Sequence, residues 1–383
     1  MIRIKIPYLI TVAAAILLLI VGHEIAVNDG INFQNFPQEI VKANVLRLTD
    51  RVRLDEGFDE PVPMLGEKIF FEAVITNGTQ KGEIVTASQN TVGFLQSAPK
   101  EVNVNSKILL IYSNDEWHFN GFLRINGLLG LGILFILCVI IFGGKKGFNT
   151  VLSLGLTCTS IFAVFIPAIL SGKNIYVMSI LVCLYTMIMV PLIVIGYNKK
   201  SFASIAGCTG GVMIAGIIAL VMDKLLFLTG IIDEHSRYLV NLPGEVQLNL
   251  HAVVFAGIII GAMGAVMDVA ISLSSSLWEI KEKAAEINFK EMFRSGLTIG
   301  RDIMGTMADT LILAYIGSSL TVVILLSVFS GSLLGLFNSE MIAVEILQAL
   351  AGSFGILFAM PLTALFCSVI YLKDKKENAN PQL

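Results

Sequence analysis

Three aspartates lie inside segments that are otherwise apolar enough to cross a bilayer. Asp268 is in the segment His251–Glu279, and Asp302 and Asp309 are in the segment Arg301–Ser330. A carboxylate inside a membrane costs at least about 2.5–3.5 kcal/mol, so it is tolerated only against protein or water. Carboxylates in such a place suit proton coupling or the binding of a cation by oxygen ligands. These residues are therefore the candidate site of the chain.

The spacing of these residues assigns them to particular helix faces. At 100° per residue, the small and polar residues of the first segment share one stripe: Gly257, Gly261, Gly264, Asp268, Ser272, Ser275 and Glu279. Because glycines let a neighbouring helix approach closely, the stripe is predicted to face the bundle interior, with Gly257, Gly261 and Gly264 as helix-packing positions. In the second segment, Asp302, Thr306 and Asp309 stand at positions i, i+4 and i+7 of one face.

Both segments place an aspartate well inside the bilayer. Asp268 is ten residues from Trp278, which is about 15 Å along a helix, and Asp309 is roughly 12 Å from the boundary residue Arg301. We therefore expect Asp268 and Asp309 at similar depth on consecutive antiparallel helices. Two facing carboxylates in a low dielectric do not both ionise easily, so one is expected to hold a proton.

Three hydroxyl residues are predicted to support this site: Ser272, Thr306 and Thr310. The alternative interpretation is structural, in which each acid is neutral or paired and only holds helices together. Glu340 and Glu345 are weaker candidates and are predicted to be exposed loop or interfacial acids.

Other chemistries lack their sequence patterns. Asp268 follows Ala265-Val266-Met267, so the G-x-G-D pattern of intramembrane proteases is missing. The chain has neither a phosphate-binding loop nor a G-x-S-x-G elbow. Its five cysteines all lie in apolar runs, and its four histidines have no ligand spacing. We therefore predict a protein that is not an enzyme, has no cofactor or metal site and binds no nucleic acid.

The composition is that of a polytopic membrane protein. Of 383 residues, 55% are hydrophobic and only 14% are charged, which leaves too little polar surface for a soluble protein of this size. We predict about eight transmembrane helices: an N-terminal anchor and then Ile125–Phe142, Val151–Leu170, Ile175–Tyr197, Phe202–Val221, His251–Leu277, Ile303–Phe329 and about Leu347–Leu372.

The distribution of basic residues predicts the orientation. One set of short connections carries fourteen Lys and Arg residues: Arg3, Lys5, Lys145, Lys146, Lys199, Lys200, Lys281, Lys283, Lys290, Arg294, Arg301, Lys373, Lys375 and Lys376. The opposite short loops carry Lys173, Lys224 and Arg237. The positive-inside rule then places both termini in the cytoplasm and residues 23–123 outside a bacterial plasma (inner) membrane.

The polar region 23–123 is predicted to be a small, partly open, OB-like β-barrel. Strand-like runs at Ile40–Leu48, Lys68–Thr76, Glu83–Ser88, Lys107–Ser113 and Trp117–Phe122 are separated by turn signals such as Asn77-Gly78 and Asn114-Asp115. Its aromatic residues are predicted to be core: Phe70, Phe71, Tyr112, Trp117 and Phe119.

The predicted domain order has four parts. Residues 1–22 form a retained anchor, with a cleaved signal peptide as the alternative. They are followed by the β-rich domain at 23–123 and a seven-helix domain at 124–373. That domain includes an interfacial helix at about 279–297. Residues 374–383 form a cytoplasmic tail.

Four stretches carry a resemblance to a known family. They are GIIIGAMGAVMDVAISLSSSLWE at Gly257–Glu279, GRDIMGTMADTLILAYIGSSL at Gly300–Leu320, GFNTVLSLGLT at Gly147–Thr157 and FIPAILSGKN at Phe165–Asn174. Together with the order of anchor, β-rich region and seven-span block, they resemble the YibE/F family of bacterial multi-pass membrane proteins. Asp309 departs from the family pattern, which often has an uncharged polar residue there. The resemblance implies a membrane topology and leaves the activity open.

Two functions follow as expectations. The first is a secondary transporter or permease for a small solute or ion, with its acidic site between the sixth and seventh spans. The alternative is a non-transporting envelope assembly or sensing protein whose β-domain binds a partner. The lipid bilayer is the one partner that composition implies, and no residue pattern indicates an oligomeric state.

Overall fold

The computed structural model describes residues 6–27, 40–54, 65–93, 100–240, 247–284, 287–329 and 331–378. By its internal contacts the chain divides into two units. One is Asn32–Cys138, and the other combines Met1–Ile31 with Val139–Leu383. The first contains a small β-barrel and the second contains a bundle of long apolar helices.

Five strands form the barrel: β1 (Ile40–Leu54), β2 (Leu65–Ile75), β3 (Ile84–Gly93), β4 (Lys107–Ser113) and β5 (Glu116–Phe122). Their order is β1-β2-β3-β5-β4, and β4 pairs with β1 to close the barrel. All pairs are antiparallel except β3 and β5, where Ala87 is level with Trp117. The predicted strands are therefore confirmed. The prediction that the barrel is partly open was wrong, because the N-terminal half of β1 pairs with the edge of β4.

Side-chain alternation explains the barrel core. Ile69, Phe71 and Ala73 are fully buried on one face of β2, while Phe70 and Glu72 between them are half-buried. At the β4–β5 turn, Asn114 and Asp115 have φ of 52° and 64°, the left-handed pair that a two-residue hairpin turn requires.

The aromatic residues of the barrel divide between core and surface. Phe71 lies in the core as predicted, but Tyr112 is 45% exposed and its ring contacts that of Trp117 at a tilt of 55°.

The helices of the chain are α1 (Ile6–Val27), α2 (Ile125–Thr159), α3 (Ile166–Leu170), α4 (Ile175–Val194), α5 (Lys199–Leu225), α6 (Glu234–Val240), α7 (Leu250–Lys283), α8 (Phe289–Ser318), α9 (Leu320–Phe329), α10 (Leu333–Asn338) and α11 (Glu340–Asn378). A π-helical turn, Ser160–Phe165, joins α2 to α3. Among the described residues, six helical segments are long and apolar enough to cross a membrane, or up to seven if the bent pair α8–α9 is one span.

The eight predicted spans do not appear as eight separate helices. Two of them share the 46-residue helical run Ile125–Leu170, which is broken at Gly144, where φ is 54° and ψ is −129°. Val139 and Gly147 are eight residues apart, which corresponds to about 12 Å along a straight helix. A Cβ on Gly147 would nevertheless collide with the carbonyl oxygen of Val139, so the chain folds sharply back at this break. The predicted span Ile303–Phe329 is likewise split, with a bend of 62° between α8 and α9.

The expected interfacial helix at 279–297 is not one element. Glu279–Lys283 is the last turn of α7, and Phe289 begins α8. Ala284 has an extended backbone, and the Asn288 side chain accepts the N–H of Glu291 in a capping box, so the first helix ends and a second begins here. The expected tail at 374–383 is helical as far as Asn378. Arg3, Lys5 and residues 379–383 lie outside the described residues.

The bundle is centred on α11, which packs against α5, α7 and α8. Glycines allow its backbone to approach its neighbours. A Cβ on Gly211 would be 2.7 Å from the carbonyl oxygen of Gly355, and a Cβ on Gly352 would be 2.7 Å from Leu311. Gly352 and Gly355 are thus positions of close helix packing. Small residues at contacts are the usual means by which membrane helices associate.

These contacts predict opposite outcomes for one substitution at two glycines. In a helix, Gly→Ala is intrinsically favourable by about 1 kcal/mol. At Gly211 the added methyl group meets Gly355, Ala359 and Val266 within 2.9 Å, and such overpacking typically costs about 1–3 kcal/mol. We expect Gly211→Ala to lower the thermal unfolding midpoint of the purified protein in detergent.

Gly264→Ala is the matched control, because nothing lies within 4 Å of the added methyl group. It should leave the midpoint unchanged or raise it. Equal destabilisation by the two substitutions would contradict the described packing.

Candidate functional site

The acidic stripe of α7 lies on the exposed side of that helix. Asn249 caps the helix by accepting the N–H of Ala252, and the large apolar residues Val266, Val269, Leu273 and Leu277 are fully buried. Asp268 and Ser272 are exposed. The prediction that the glycine and aspartate stripe faces the interior was therefore wrong for its lower part, from Gly264 to Ser272. The opposite face of α7 carries Val, Ile, Leu and Met side chains, and these fill the bundle core.

The three predicted packing glycines of α7 have different surroundings. A Cβ on Gly257 would be 3.4 Å from the side-chain nitrogen of Gln348 on α11, and a Cβ on Gly261 would collide with the hydroxyl of Tyr315 on α8. Gly264 has open space beside it. The upper part of the stripe therefore borders polar groups of neighbouring helices, and the lower part, from Gly264 to Ser272, is uncovered by the described residues.

The second acidic face is that of α8. Met292, Gly296 and Gly300 are the buried residues of this helix. Asp302 and Asp309 lie more than about 100° around the helix from that buried face, and both are exposed. Two hydroxyls of the predicted site are also exposed: Thr306 donates to the carbonyl oxygen of Ile303 at 3.0 Å, and Thr310 donates to that of Met307 at 2.9 Å.

Contacts between α7 and α8 fix the relative depth of the acids. A Cβ on Gly296 would be 3.1 Å from Leu277, and Gly261 is beside Tyr315, so the two helices run antiparallel. This register places Asp268 level with about Met307. Asp309 is then within one helical turn of that level, and Asp302 is about one and a third turns away. The depths agree with the prediction, but no hydrogen bond or ion pair joins these carboxylates to one another or to any described residue.

The arrangement is consequently a polar band on the outside of a helical bundle. Carboxylates at membrane depth require water, a counter-charge or another protein surface, because hydrocarbon solvates them poorly. In the part of the chain that the structure describes, no three His, Cys, Asp or Glu side chains converge closely enough to hold a metal ion.

A further acid, Glu345, is placed differently from its prediction as an exposed interfacial residue. It lies on α11, one of its carboxylate oxygens (Oε2) is buried, and that oxygen has no hydrogen-bond partner. It lines a cleft of about 170 Å³ together with Tyr315 and with Ser319, the residue at the α8–α9 bend. The sequence held one signal: Glu345, Gln348 and Gly352 stand at i, i+3 and i+7 on one helix face.

Glu340, five residues earlier, has hydrogen-bond partners for its carboxylate, in contrast to Glu345. Its carboxylate accepts the backbone N–H groups of Thr229 and Gly230 at 2.6 and 2.7 Å, and the Thr229 hydroxyl at 2.9 Å. It therefore ties the loop after α5 to the start of α11 and is a structural residue.

Comparison with known proteins gives one match. The family model described as YibE/F-like protein matches residues 131–373, a stretch that contains α4 to α9 and all the acids above. No curated protein and no solved structure matches the chain.

The exposure of the polar band predicts different reactivity at two neighbouring positions of α8. Asp309 and Leu313 are both exposed and lie about one turn apart. In a background without the native cysteines, we expect Asp309→Cys to react with a charged, water-soluble thiol reagent in intact proteoliposomes. Leu313→Cys is the matched control and should react slowly, because its apolar surroundings favour lipid contact. Equal protection of both cysteines would show that water does not reach the band.

Proposed function

The chain belongs to the family of YibE/F-like proteins, and on that premise we propose that it is a secondary transporter or permease for a small solute or ion. One observation carries this proposal. Asp268 lies at a level between those of Asp302 and Asp309 on two adjacent antiparallel helices, and no described side chain pairs with these three acids. Unpaired acids inside membrane segments are typical of substrate and ion pathways.

The proposed site is the polar band around Asp268. In it, Asp302 and Asp309 supply further carboxylate oxygens. Three hydroxyls stand on the same surfaces: Ser272, Thr306 and Thr310. These are hard oxygen ligands, which suit protons, cations or polar solutes. The band moves its ligand without chemical change, so no catalytic residue is part of the proposal.

We propose eight membrane crossings, with both termini in the cytoplasm of a bacterial cell and the barrel outside the plasma membrane. A crossing takes about 20 residues, so the 46-residue run Ile125–Leu170, broken at Gly144, supplies two crossings rather than one. When that run is counted as two crossings and the bent pair α8–α9 is added as one, the six apolar segments give eight crossings. Basic residues on one set of short connections support the orientation.

We also propose that the barrel is OB-like, because five strands in the order β1-β2-β3-β5-β4 with a parallel β3–β5 contact are typical of that fold.

The transport proposal predicts that Asp268→Asn abolishes activity without unfolding the protein. Cells lacking the protein are compared for their solute and metal contents after rescue with wild type or with the variant. Wild type should restore the altered solute, and Asp268→Asn should not, because the amide cannot exchange a proton or bind a cation with the same charge.

Glu279→Gln is the matched control for this test. Glu279 lies on the same stripe at the end of α7, where it is exposed and pairs with Lys283 at 3.6 Å. The control should rescue like wild type. Full rescue by a correctly folded Asp268→Asn protein would reject the assignment of this site.

A second function, partner binding by the barrel, is supported by a groove at one end of it. The groove measures about 630 Å³ and is lined by Lys100, Lys107 and Arg124 together with Phe119 and Phe122. Lys100 stands 5.6 Å over the ring of Phe122. No described acid lines this groove, so it suits an anionic partner of an assembly or sensing protein.

Two arginines elsewhere on the barrel are already paired. Arg47 contacts Glu72 at 2.6 Å, and this hydrogen bond lowers the pKa of Glu72. Arg51 contacts Glu101 at 2.8 Å. The lysines and arginine of the groove have no such carboxylate among the described residues, which is why the groove is the proposed binding surface.

The partner-binding alternative predicts that charge removal in the groove abolishes rescue in the same cells. We expect the double variant Lys100→Gln, Lys107→Gln to lose rescue while Asp268→Asn retains it. The control double variant Lys42→Gln, Lys81→Gln removes equal charge from exposed positions that do not line the groove, and it should rescue fully. Full rescue by the groove variant together with failure of Asp268→Asn would exclude this alternative in favour of transport.

A further inference from the structure

Glu345 is an acid that the polar band around Asp268 does not use. It lies on α11 about one and a half turns after Glu340, on the side of that helix that faces the α8–α9 bend. Its neighbours along the helix, Ile342 and Val344, are buried. Glu345 itself is half-buried, and the packing around α11 covers its Oε2 oxygen.

The groups that face Glu345 supply no counter-charge. From α8 the titratable neighbour is Tyr315, and from the bend it is the hydroxyl residue Ser319. On its own helix, Glu340 is fully engaged with Thr229 and Gly230. No described Lys or Arg forms an ion pair with Glu345, and its Oε2 oxygen has no hydrogen bond.

Two charged groups on other neighbours of α11 pair with each other. Asp223 of α5 contacts His251 of α7 at 3.1 Å, and this pair shares a small cavity with Leu347 of α11. It therefore stands beside a different part of α11 and is already paired. α10 carries no charged residue.

The lining of the cleft selects the ion that Glu345 can take. Apart from Glu345, Tyr315 and Ser319, the cleft is lined by apolar side chains. A metal cation such as Ca²⁺ needs roughly six to eight oxygen ligands, and Mg²⁺ keeps several water ligands when it is bound. This mostly apolar lining suits neither ion. A proton needs one carboxylate oxygen and no coordination shell.

We propose that Glu345 is a proton-binding site, and that the proton is the ion coupled to transport by this chain. This inference rests on the proposed transport function. Oε2 takes a proton from water at the Glu340 end of α11 when the cleft is dry, because an ionised carboxylate there would have no hydrogen bond and no counter-charge. Glu345 returns the proton when water enters the cleft.

The fold supplies a physical link between this proton and the acidic band. Tyr315 and Ser319 belong to α8 and its bend, and Asp309 lies six residues before Tyr315, about 9 Å along the same helix. A cleft of about 170 Å³ has room for water, so an ionised Glu345 also draws water against Tyr315 and Ser319. These two residues belong to α8 and its bend, so the charge state of Glu345 acts on the helix that carries Asp309.

Infrared spectroscopy of the full chain in lipid nanodiscs tests the proton directly. Isotope-labelled glutamate shifts the carbonyl stretch of protonated glutamic acids away from that of aspartic acids. Wild type at neutral pH should show one shifted band of a protonated glutamic acid, and Glu345→Gln should lose it. Glu279→Gln, which removes an exposed glutamate, should keep the band. Because the band is measured on wild type, the test stands even if Glu345→Gln does not fold.

Proteoliposomes then test the coupling, with the solute that wild type restores in cells as the probe. We expect Glu345→Gln to lose accumulation driven by a proton gradient while it retains exchange of solute across the membrane. Absence of the glutamic acid band in wild type would overturn the proton site, whatever the transport result. Gradient-driven accumulation unchanged in Glu345→Gln would overturn the coupling role. A band present in a wild type that transports no solute would instead reject the proposed function and leave Glu345 as a protonated structural acid.

Discussion

The bundle depends on the close approach of α11 to α5. Gly211 and Gly355 meet at this contact, and a side chain on Gly211 would overlap the opposite backbone. Next along the same interface, a Cβ on Gly207 would overlap Thr363. Lipid tails are as apolar as leucine, so helices in a bilayer gain little from hiding apolar surface from one another. Backbone proximity and van der Waals contact therefore hold α11 in the centre, and α7 and α8 are positioned by packing on it.

That packing decides which polar groups are covered. The large side chains of α7 turn toward α5 and α11, so Asp268 is left on the other side of the helix. The contacts of α8 with α11 through Gly296 and Gly300 leave Asp302 and Asp309 facing outward in the same way. The same contacts bring Glu345 of α11 under the α8–α9 bend, where it is enclosed by apolar side chains. One set of glycine contacts thus produces both an uncovered acidic band and a covered acid.

The two environments have different physical consequences. The band exposes carboxylate and hydroxyl oxygens of α7 and α8, where water or a solute can contact them. Glu345 has no hydrogen bond and no cation beside it, so its charge depends on whether water enters the cleft. The bend of 62° between α8 and α9 lies between these environments and is where the helix ladder is interrupted. Broken helices at such points are common in secondary transporters, where they expose backbone groups to a cavity.

The sequence by itself determined the local features of this protein. The alternation of Ile69, Phe71 and Ala73 predicted a barrel strand with the correct buried face, since the period of a strand is two residues in any setting. Hydropathy predicted the apolar segments, and the long motifs around Asp268 and Asp302 predicted the family. The relative depth of Asp268 and Asp309 was also predictable, because helical rise depends only on residue count.

Only the tertiary structure decided what depends on neighbours. The glycine stripe of α7 indicated a packing face. In the structure the face with Val266 and Leu273 packs into the bundle core instead, because large side chains fill more of the interior than glycines do. The break after Ser318 lies in a run that was predicted as one apolar span, and its bend depends on contacts that spacing does not encode. The same holds for Glu345, whose sequence neighbours resemble those of an interfacial acid. Its burial follows from α8 and α9, which are distant in sequence and adjacent only in the folded chain.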